Sequence, residues 1–368
     1  MGQGQSEELQ LQSLTEKYSL GKTKLGEGAY GTVWKGTDRQ TGNIVAVKQM
    51  SKAKLRRGGH KLRDNMGREV VMMRACQHEN IAQLLGVFQE EKHVYLVMEC
   101  CEGGDLGERV IAQKANVTEE QSAEWSRQMC AAVASLHGMR ICHRDLKPQN
   151  YMLRGSTLKL SDFGLAVFVP QGQSLSDRCG TPGFMSPELH LLPGKSRGYS
   201  FPADAWALGL CIYMLIFRHN PFLDSRGFVD ESSLLNGRLT FGEDDSSFGL
   251  LLQTLNMGWG EENATGRRPE IRELCKQLIC VEERRRITTQ QALQNPWLAQ
   301  FGARLRHRKV SCDGQGSRQS SKLSAGGTGN AAGKPMHTCV SRILEALQVG
   351  SDRGKLALGT TNLGTLIS

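Results

Sequence analysis

The sequence predicts an α+β fold in two lobes, a small β-rich N-terminal lobe followed by a larger, mainly α-helical one. Three observations predict it. Short strand-like runs, punctuated by Gly and polar residues, occupy the chain up to Glu99. After Gly104 the apolar spacing becomes predominantly helical. The change is confined to residues 99–104, where a cleft between the lobes is expected.

Residues 18–25, 32–36 and 44–49 read as β segments separated by Gly and polar turns. A helical stretch follows over residues 68–76, with Val70, Met73 and Arg74 at helical spacing. Residues 94–99 form another apolar strand. Helical patterns cover residues 119–136, 201–216, 270–278 and 289–297. Residues 223–267 fit a helical pattern poorly, as an insertion or a rearranged docking surface would.

Three regions follow: a polar N-terminal segment, 1–17; a folded domain, 18–298; and a basic, mostly disordered tail, 299–368. Residues 301–335 are rich in Gly, Ser and Arg and too poor in apolar residues to pack. Within 336–349, Val340, Ile343, Leu344 and Leu347 share one helical face, which makes this segment a candidate short helix. No internal repeat is present.

The chain has 368 residues and 39% hydrophobic content, enough for a substantial core, so global disorder is excluded. No apolar run reaches the roughly 18 residues that crossing a bilayer needs. The N-terminus lacks the basic-then-apolar pattern of a secretory leader. The eleven cysteines form no framework and read as reduced core thiols of a cytoplasmic or nuclear protein, the cytoplasm being the expected location. The net charge of +9 is concentrated in residues 301–368, where ten Lys/Arg face three Asp/Glu. The basicity is a property of the tail, so no specific nucleic-acid partner is expected for the folded domain.

Gly26, Gly28 and Gly31 form a G-x-G-x-x-G pattern. Alone it is ambiguous, because a dinucleotide-binding fold uses the same spacing and an ordinary hairpin turn also fits. Here a strand follows Gly31, not a helix, and glycines at such a turn let the main chain approach phosphates. Lys48, in Val45-Ala46-Val47-Lys48, follows at a spacing that can reach the same phosphates. Further along, His143-Arg144-Asp145-Leu146-Lys147-Pro148-Gln149-Asn150 precedes Asp162-Phe163-Gly164. Asn150 and Asp162 offer oxygen ligands suited to Mg²⁺. Asp145 can accept a hydroxyl proton, and Lys147 can neutralise a transferring phosphoryl group.

In this order the motifs resemble the eukaryotic protein kinase family, over residues 18–298. The resemblance implies a bilobal kinase fold and the cofactors ATP and Mg²⁺. It implies that Lys48 holds phosphates and pairs with Glu69, while Gly26, Gly28 and Gly31 cover them. Asp145 and Lys147 become the catalytic residues, and Asn150 and Asp162 the metal ligands. Leu25, Val33, Ala46 and Met152 would sandwich the adenine, and the Glu99 carbonyl and Cys101 amide would bond its edge. Asp105 joins the cofactor-contacting set. Met98 stands at the gatekeeper position, and Met73, Leu84, His143 and Phe163 match the family's stacked apolar spine. Ser186-Pro187-Glu188, Asp204 and Arg286 match structural segments, with Arg286 expected on Glu188 and Asp204 bracing the catalytic loop.

Lys147 in Asp-Leu-Lys-Pro and Gly180-Thr181-Pro182 resemble the serine/threonine type, so protein Ser/Thr hydroxyls are the implied acceptors. Residues 98–106 and 291–297 resemble the calcium/calmodulin-dependent group. Gln149 stands where basic-directed kinases commonly carry Glu. The competing reading, a pseudokinase-like signalling scaffold, is disfavoured because Lys48, Asp145 and Asp162 are all present. Residues 1–6 fit the acylation pattern M-G-x-x-x-[ST], so Gly2 is a candidate myristoylation site and a peripheral membrane contact an expectation; an ordinary polar terminus fits as well. The tail is a candidate docking site for calmodulin or another regulator. Finally, Asp177 stands at the usual activation phosphosite, and its carboxylate is expected to pair with Arg144; a one-residue shift would place Ser176 there instead.

Overall fold

The computed structural model describes residues 13–28, 31–57, 59–112, 117–241 and 269–300. These fall into two compact units. One contains the described residues up to Leu106 together with Gln149–Val167; the other contains Gly107–Pro148 and the described residues from Phe168 on.

The first unit is built on a five-stranded antiparallel sheet. Its strands are β1 (Tyr18–Gly28), β2 (Gly31–Asp38), β3 (Ile44–Ser51), β4 (Leu84–Gln89) and β5 (His93–Glu99), in the order β1-β2-β3-β5-β4. Side chains alternate across a strand, so one sequence serves two faces. From β5, Tyr95 and Val97 join Leu14, Tyr18, Val45, Val47 and Phe88 on one face. Val94 and Leu96 join Met50, Leu55, Met66 and Val70 on the other. Leu55 comes from helix α2 (Lys52–Arg57) and Val70 from helix α3 (Gly59–Ala75).

Packing begins before Tyr18. A single helical turn, α1 (Leu14–Lys17), buries Leu14, and the Arg39 guanidinium donates to the Thr15 carbonyl at 2.8 Å. Helix α3 starts well ahead of residue 68, because its first turns lack the apolar spacing that marks a helix in sequence. The strands β4 and β6 (Ile141–Cys142), and the hairpin β7 (Tyr151–Arg154) with β8 (Thr157–Leu160), have no counterpart in the sequence reading. The hairpin strands are only four residues each, too short for a period-2 pattern to stand out.

The second unit is helical. Helix α4 (Glu119–Gly138) is capped by Thr118, whose side chain accepts from the Gln121 amide. Helix α5 (Pro187–His190) is one turn. Helix α6 (Phe201–Phe217) is buried from Ala203 through Tyr213 and ends at Arg218 in the left-handed region. A helix hydrophobic on all sides belongs in a core, and α6 fills that place. The segment 289–297 is not one helix. Thr289–Ala292, with a Thr288/Gln291 capping box, stops before Asn295, whose side chain accepts from the Trp297 amide at 3.0 Å and restarts the chain. Pro296 disfavours helical geometry at Asn295, which explains the break. In the atypical stretch after Leu223, Asp224 closes a tight loop through the amides of Arg226 and Phe228, ahead of helix α7 (Glu231–Asn236); residues 242–268 lie outside the described residues.

Nine cysteines are described and all are free thiols. Among the described residues no helix is long and apolar enough to cross a membrane.

Candidate active site

In the sheet unit, Lys48 lies on β3 opposite Val33 of β2 and Leu96 of β5. Its ammonium donates to Glu69 of α3 at 2.6 Å, and both residues are buried. This is the pair the sequence implied. A buried ammonium without such a partner would be costly, so Glu69 fixes where the charge of Lys48 is held.

The glycine hairpin divides into two roles. A Cβ on Gly31 would lie 2.0 Å from the Gln49 carbonyl oxygen of β3, so packing within the sheet already demands glycine there. Gly26 has open space where a side chain would go, consistent with close approach of a ligand to the main chain. Gly28 is paired with Gly31, and residues 29–30 at the tip lie outside the described residues.

The residues expected around adenine are apolar and incompletely covered. Leu25 is 45% exposed, and Val33, Ala46 and Met152 are half-buried, while Val45 and Val47 beside Ala46 are buried. Ala46 is opposite Met98, the expected gatekeeper, across β3 and β5. Residues 99–105 run along β7: the Gly103 amide donates to the Leu153 carbonyl, the Leu153 amide returns to Gly104, both at 2.8 Å, and Asp105 bridges Met152. This lays Glu99, Cys101, Asp105 and Met152 along one edge of the unit. Of the spine residues, Met73 and Phe163 are buried here and Leu84 is partly so; His143 is buried in the helical unit.

Asn150 and Asp162 also belong to the sheet unit. Asn150 is buried, and its carbonyl accepts from the Ser161 amide at 2.9 Å and hydroxyl at 3.0 Å. Asp162 is exposed and holds a left-handed backbone, φ 60°. One carboxylate and one amide are too few donors to cage a cation. They suit Mg²⁺, which usually takes one or two protein ligands and completes its shell with phosphate and water.

Asp145, Lys147 and Thr181 belong to the helical unit. Lys147 donates to Asp145 Oδ2 at 2.7 Å and to Thr181 Oγ1 at 3.0 Å, and Thr181 Oγ1 donates to Asp145 Oδ1 at 2.7 Å. All three edges of this triangle are hydrogen bonds, as the sequence implied for Thr181. Burial raises the Asp145 carboxyl, but the Lys147 and Thr181 hydrogen bonds outweigh it and hold it below its usual range. Gly180, at φ 106°, brings Thr181 in: a Cβ there would lie 2.5 Å from the Arg144 carbonyl oxygen.

The loop that carries Asp145 is braced by α6. Asp204 of α6 accepts from the amides of His143 at 2.7 Å and Arg144 at 2.9 Å, and His137 Nε2 lies 3.1 Å from it. Arg144 has φ 69°, a conformation that costs about 1–3 kcal/mol and persists only where surroundings over-determine it. Arg286 binds Glu188 through both carboxylate oxygens, at 2.7 and 3.0 Å, and its guanidinium lies over Trp206. Both structural expectations are met.

The expected Asp177–Arg144 ion pair is not formed. Asp177 is exposed, and among the described residues its link to Arg144 runs through Tyr199. The guanidinium donates to the Tyr199 hydroxyl at 3.4 Å, and that hydroxyl donates to the main-chain carbonyl of Asp177 at 2.8 Å. Cys179 Sγ lies 3.6 Å from the same hydroxyl. A main-chain acceptor is supplied by any residue type, so nothing in the identity of residue 177 announces this contact. Tyr199 carries no signal of its own in the sequence, where an aromatic side chain alone reads as core.

The family model for the protein kinase domain matches residues 20–298. The chain belongs to the protein kinase family. It is 31% identical over 289 residues to a Dictyostelium discoideum protein named "Probable serine/threonine-protein kinase fhkE", covering 77% of this chain and 38% of that one. It is 32% identical to calcium-dependent protein kinase 10 of Oryza sativa subsp. japonica, covering 78% and 44%. It is 30% identical to calcium/calmodulin-dependent protein kinase type 1 of Macrobrachium nipponense, covering 80% and 78%. The chain thus spans less than half the length of the first two relatives. These relatives agree with the serine/threonine type and with the group whose pattern the sequence resembles.

Proposed function

We propose that the protein is a serine/threonine protein kinase that transfers the γ-phosphate of ATP to Ser or Thr hydroxyls of protein substrates. The observation that carries this reading is the Asp145–Lys147–Thr181 triangle. It holds an ionised carboxylate and an ammonium together on one short loop.

ATP with magnesium supplies the phosphoryl group and the electrophilic charge of the reaction. Asp145 orients the acceptor hydroxyl and takes its proton on the carboxylate. Lys147, held on Asp145 Oδ2, neutralises charge on the transferring group. Lys48, positioned by Glu69, serves the remaining phosphates, and Asn150 with Asp162 would hold the cation. Leu25, Val33, Ala46 and Met152 would cover the adenine faces, with Glu99, Cys101 and Asp105 along its edge. Work of this kind is positioning and charge stabilisation, with little covalent chemistry by the protein.

Transfer of labelled γ-phosphate to a generic protein acceptor, with wild type and Asp145→Asn compared, tests the reading. Activity in the wild type and its loss in a folded variant is expected. Equal transfer by both would overturn the role of Asp145, and nucleotide binding without transfer by either would support a scaffold.

Two regulatory readings rest on residues outside the described ones. Gly2 is an acylation site giving partial, reversible membrane association of a cytoplasmic enzyme, with Arg304, Arg306, Arg308 and Lys309 as a second, electrostatic signal. Residues 336–349 dock a regulator such as calmodulin, and truncation after residue 300 raises activity. Labelling with a myristate analogue in wild type and Gly2→Ala tests the first; activity of the truncated chain tests the second.

A further inference from the structure

Glu99 is the last residue of β5, and its carboxylate is turned into the protein: the side chain is 8% exposed. Two cations meet it there. Lys159 of β8, itself 11% exposed, lies 3.0 Å from Oε1, and Arg154 of β7 pairs with the same oxygen from the surface. The main chain closes the arrangement. The Glu99 amide donates to the Gln83 carbonyl at 2.9 Å, and the Gln83 amide reaches back to Glu99 Oε2 at 3.4 Å. The strand that carries Lys159 is fastened to the same neighbourhood, since the Leu160 amide donates to the Asn80 carbonyl at 2.8 Å and the Ala82 amide to the Leu160 carbonyl at 2.9 Å.

A buried carboxylate is tolerated only with partners, and removing one partner leaves a charge with no compensation. The β7–β8 hairpin therefore grips the start of the 99–105 segment through a charge it cannot release cheaply. The hydrogen bonds of Gly103 and Gly104 to Leu153, and the Asp105–Met152 bridge, continue the grip residue by residue. Burial first, and then the Glu99 carboxylate, push the Cys101 thiol up to about 12, so that side chain stays neutral.

We propose that Lys159, assisted by Arg154, is a positioning residue for nucleotide: by clamping the Glu99 side chain it fixes the direction of the peptide groups at Glu99 and Cys101 that receive the adenine edge. The inference rests on the reading above that these two residues contact adenine. Lys159 touches neither nucleotide nor acceptor in this scheme. Its effect is a loss of preorganisation, so the affinity for ATP changes and the chemical step does not.

The test uses the full chain. Nucleotide affinity is measured by direct titration with ATP, and kcat and KM for ATP and for a peptide acceptor are measured alongside, with thermal melting of every variant. Lys159→Met is expected to weaken ATP binding and raise KM for ATP severalfold, with kcat at saturating ATP and the peptide KM unchanged. Arg154→Ala, at a 59% exposed residue, follows in the same direction with a smaller effect. Removing both buried charges in Glu99→Gln/Lys159→Met separates positioning from stability. The double variant is expected to regain melting temperature while ATP affinity stays weak. If ATP affinity returns together with melting temperature, or if Lys159→Met changes kcat and leaves KM for ATP alone, the clamp has no positioning role. Should Lys159→Met not fold, Arg154→Ala and the double variant decide by the same measurements. A wild type that binds no ATP would defeat the nucleotide site itself, an outcome distinct from equal affinity in wild type and variants.

Discussion

The Tyr199 hydroxyl donates a 2.8 Å hydrogen bond to the main-chain carbonyl of Asp177. It does so while accepting from the Arg144 guanidinium next to Asp145, and Tyr199 also pairs with Leu175 through two main-chain hydrogen bonds of 2.8 and 2.9 Å. The segment ahead of Thr181 is thus fastened to the catalytic loop without a phosphate. An aromatic hydroxyl supplies the connection that a phosphorylated side chain can provide by pairing with such an arginine. The Arg144 donor is a cation, but at 3.4 Å it is the longer link, and the 2.8 Å bond to the Asp177 carbonyl is the tighter one.

This arrangement predicts that unphosphorylated enzyme is active and that Tyr199→Phe, which keeps the ring and removes the hydroxyl, lowers kcat severalfold. Asp177→Ala is expected to have little effect, because it retains the carbonyl. Rates of phosphatase-treated enzyme on one peptide check both. A large loss in Asp177→Ala with an indifferent Tyr199→Phe would return the role to the carboxylate.

Asp145→Asn should cut kcat by about 10²–10⁴-fold, the range for removal of a positioned general base, while the melting temperature holds. Lys48→Met should also abolish transfer, but at a cost in stability of about 3–5 kcal/mol, since Glu69 is then a buried charge without its ammonium. Adding Glu69→Gln should restore melting temperature and leave the enzyme inactive. Recovery of activity in that double variant would exclude Lys48 from catalysis.

The Asp145 carboxyl is held below its usual range, so its ionised form persists into moderately acid solution. For a depressed carboxyl the sign is fixed: the contribution to stability is complete above the unfolded value, about 3.9, and disappears as pH falls through the folded one. Activity needs the ionised form, so the acid limb of kcat/KM should fall below the usual carboxylate range. Thr181→Ala removes one of the two hydrogen bonds that lower it and should move that limb to higher pH. A limb unmoved in Thr181→Ala would mean another group controls it.

Arg286→Ala should destabilise the protein by about 3–5 kcal/mol, because the Glu188 carboxylate is left buried. Arg286→Lys should rescue little. One ammonium cannot reproduce the two-point contact to Glu188 together with the donations to the Pro202 and Cys280 carbonyls at 2.7 and 2.8 Å. Urea melts of the two variants measure this, and a lysine variant as stable as wild type would reduce the contact to simple charge.

The sequence by itself determined which side chains are candidates for the chemistry. Asp145, Lys147 and Lys48 were legible because charge and hydrogen-bonding capacity belong to the side chain and travel with residue type, and Glu69 and Thr181 through the family resemblance that those residues carry. The strands β1, β2, β3 and β5 and the helices α4 and α6 were legible for a similar reason: they are apolar runs bounded by Gly and polar residues or apolar stretches of helical length, which a sequence displays directly. Tertiary structure decided what depends on main-chain groups and on partners distant in the chain. The carbonyl of Asp177 is the same atom in every residue, and only folding brings Tyr199, 22 positions away, onto it. No sequence pattern marks Lys159, which becomes a buried cation because the hairpin delivers it to Glu99, 60 positions earlier. Likewise, Gly31 follows the family pattern for phosphate, yet the carbonyl of Gln49 requires glycine there before any ligand arrives. Side-chain chemistry is local information, whereas the direction of a carbonyl and the exclusion of water from a charge are set by what the rest of the chain packs against it.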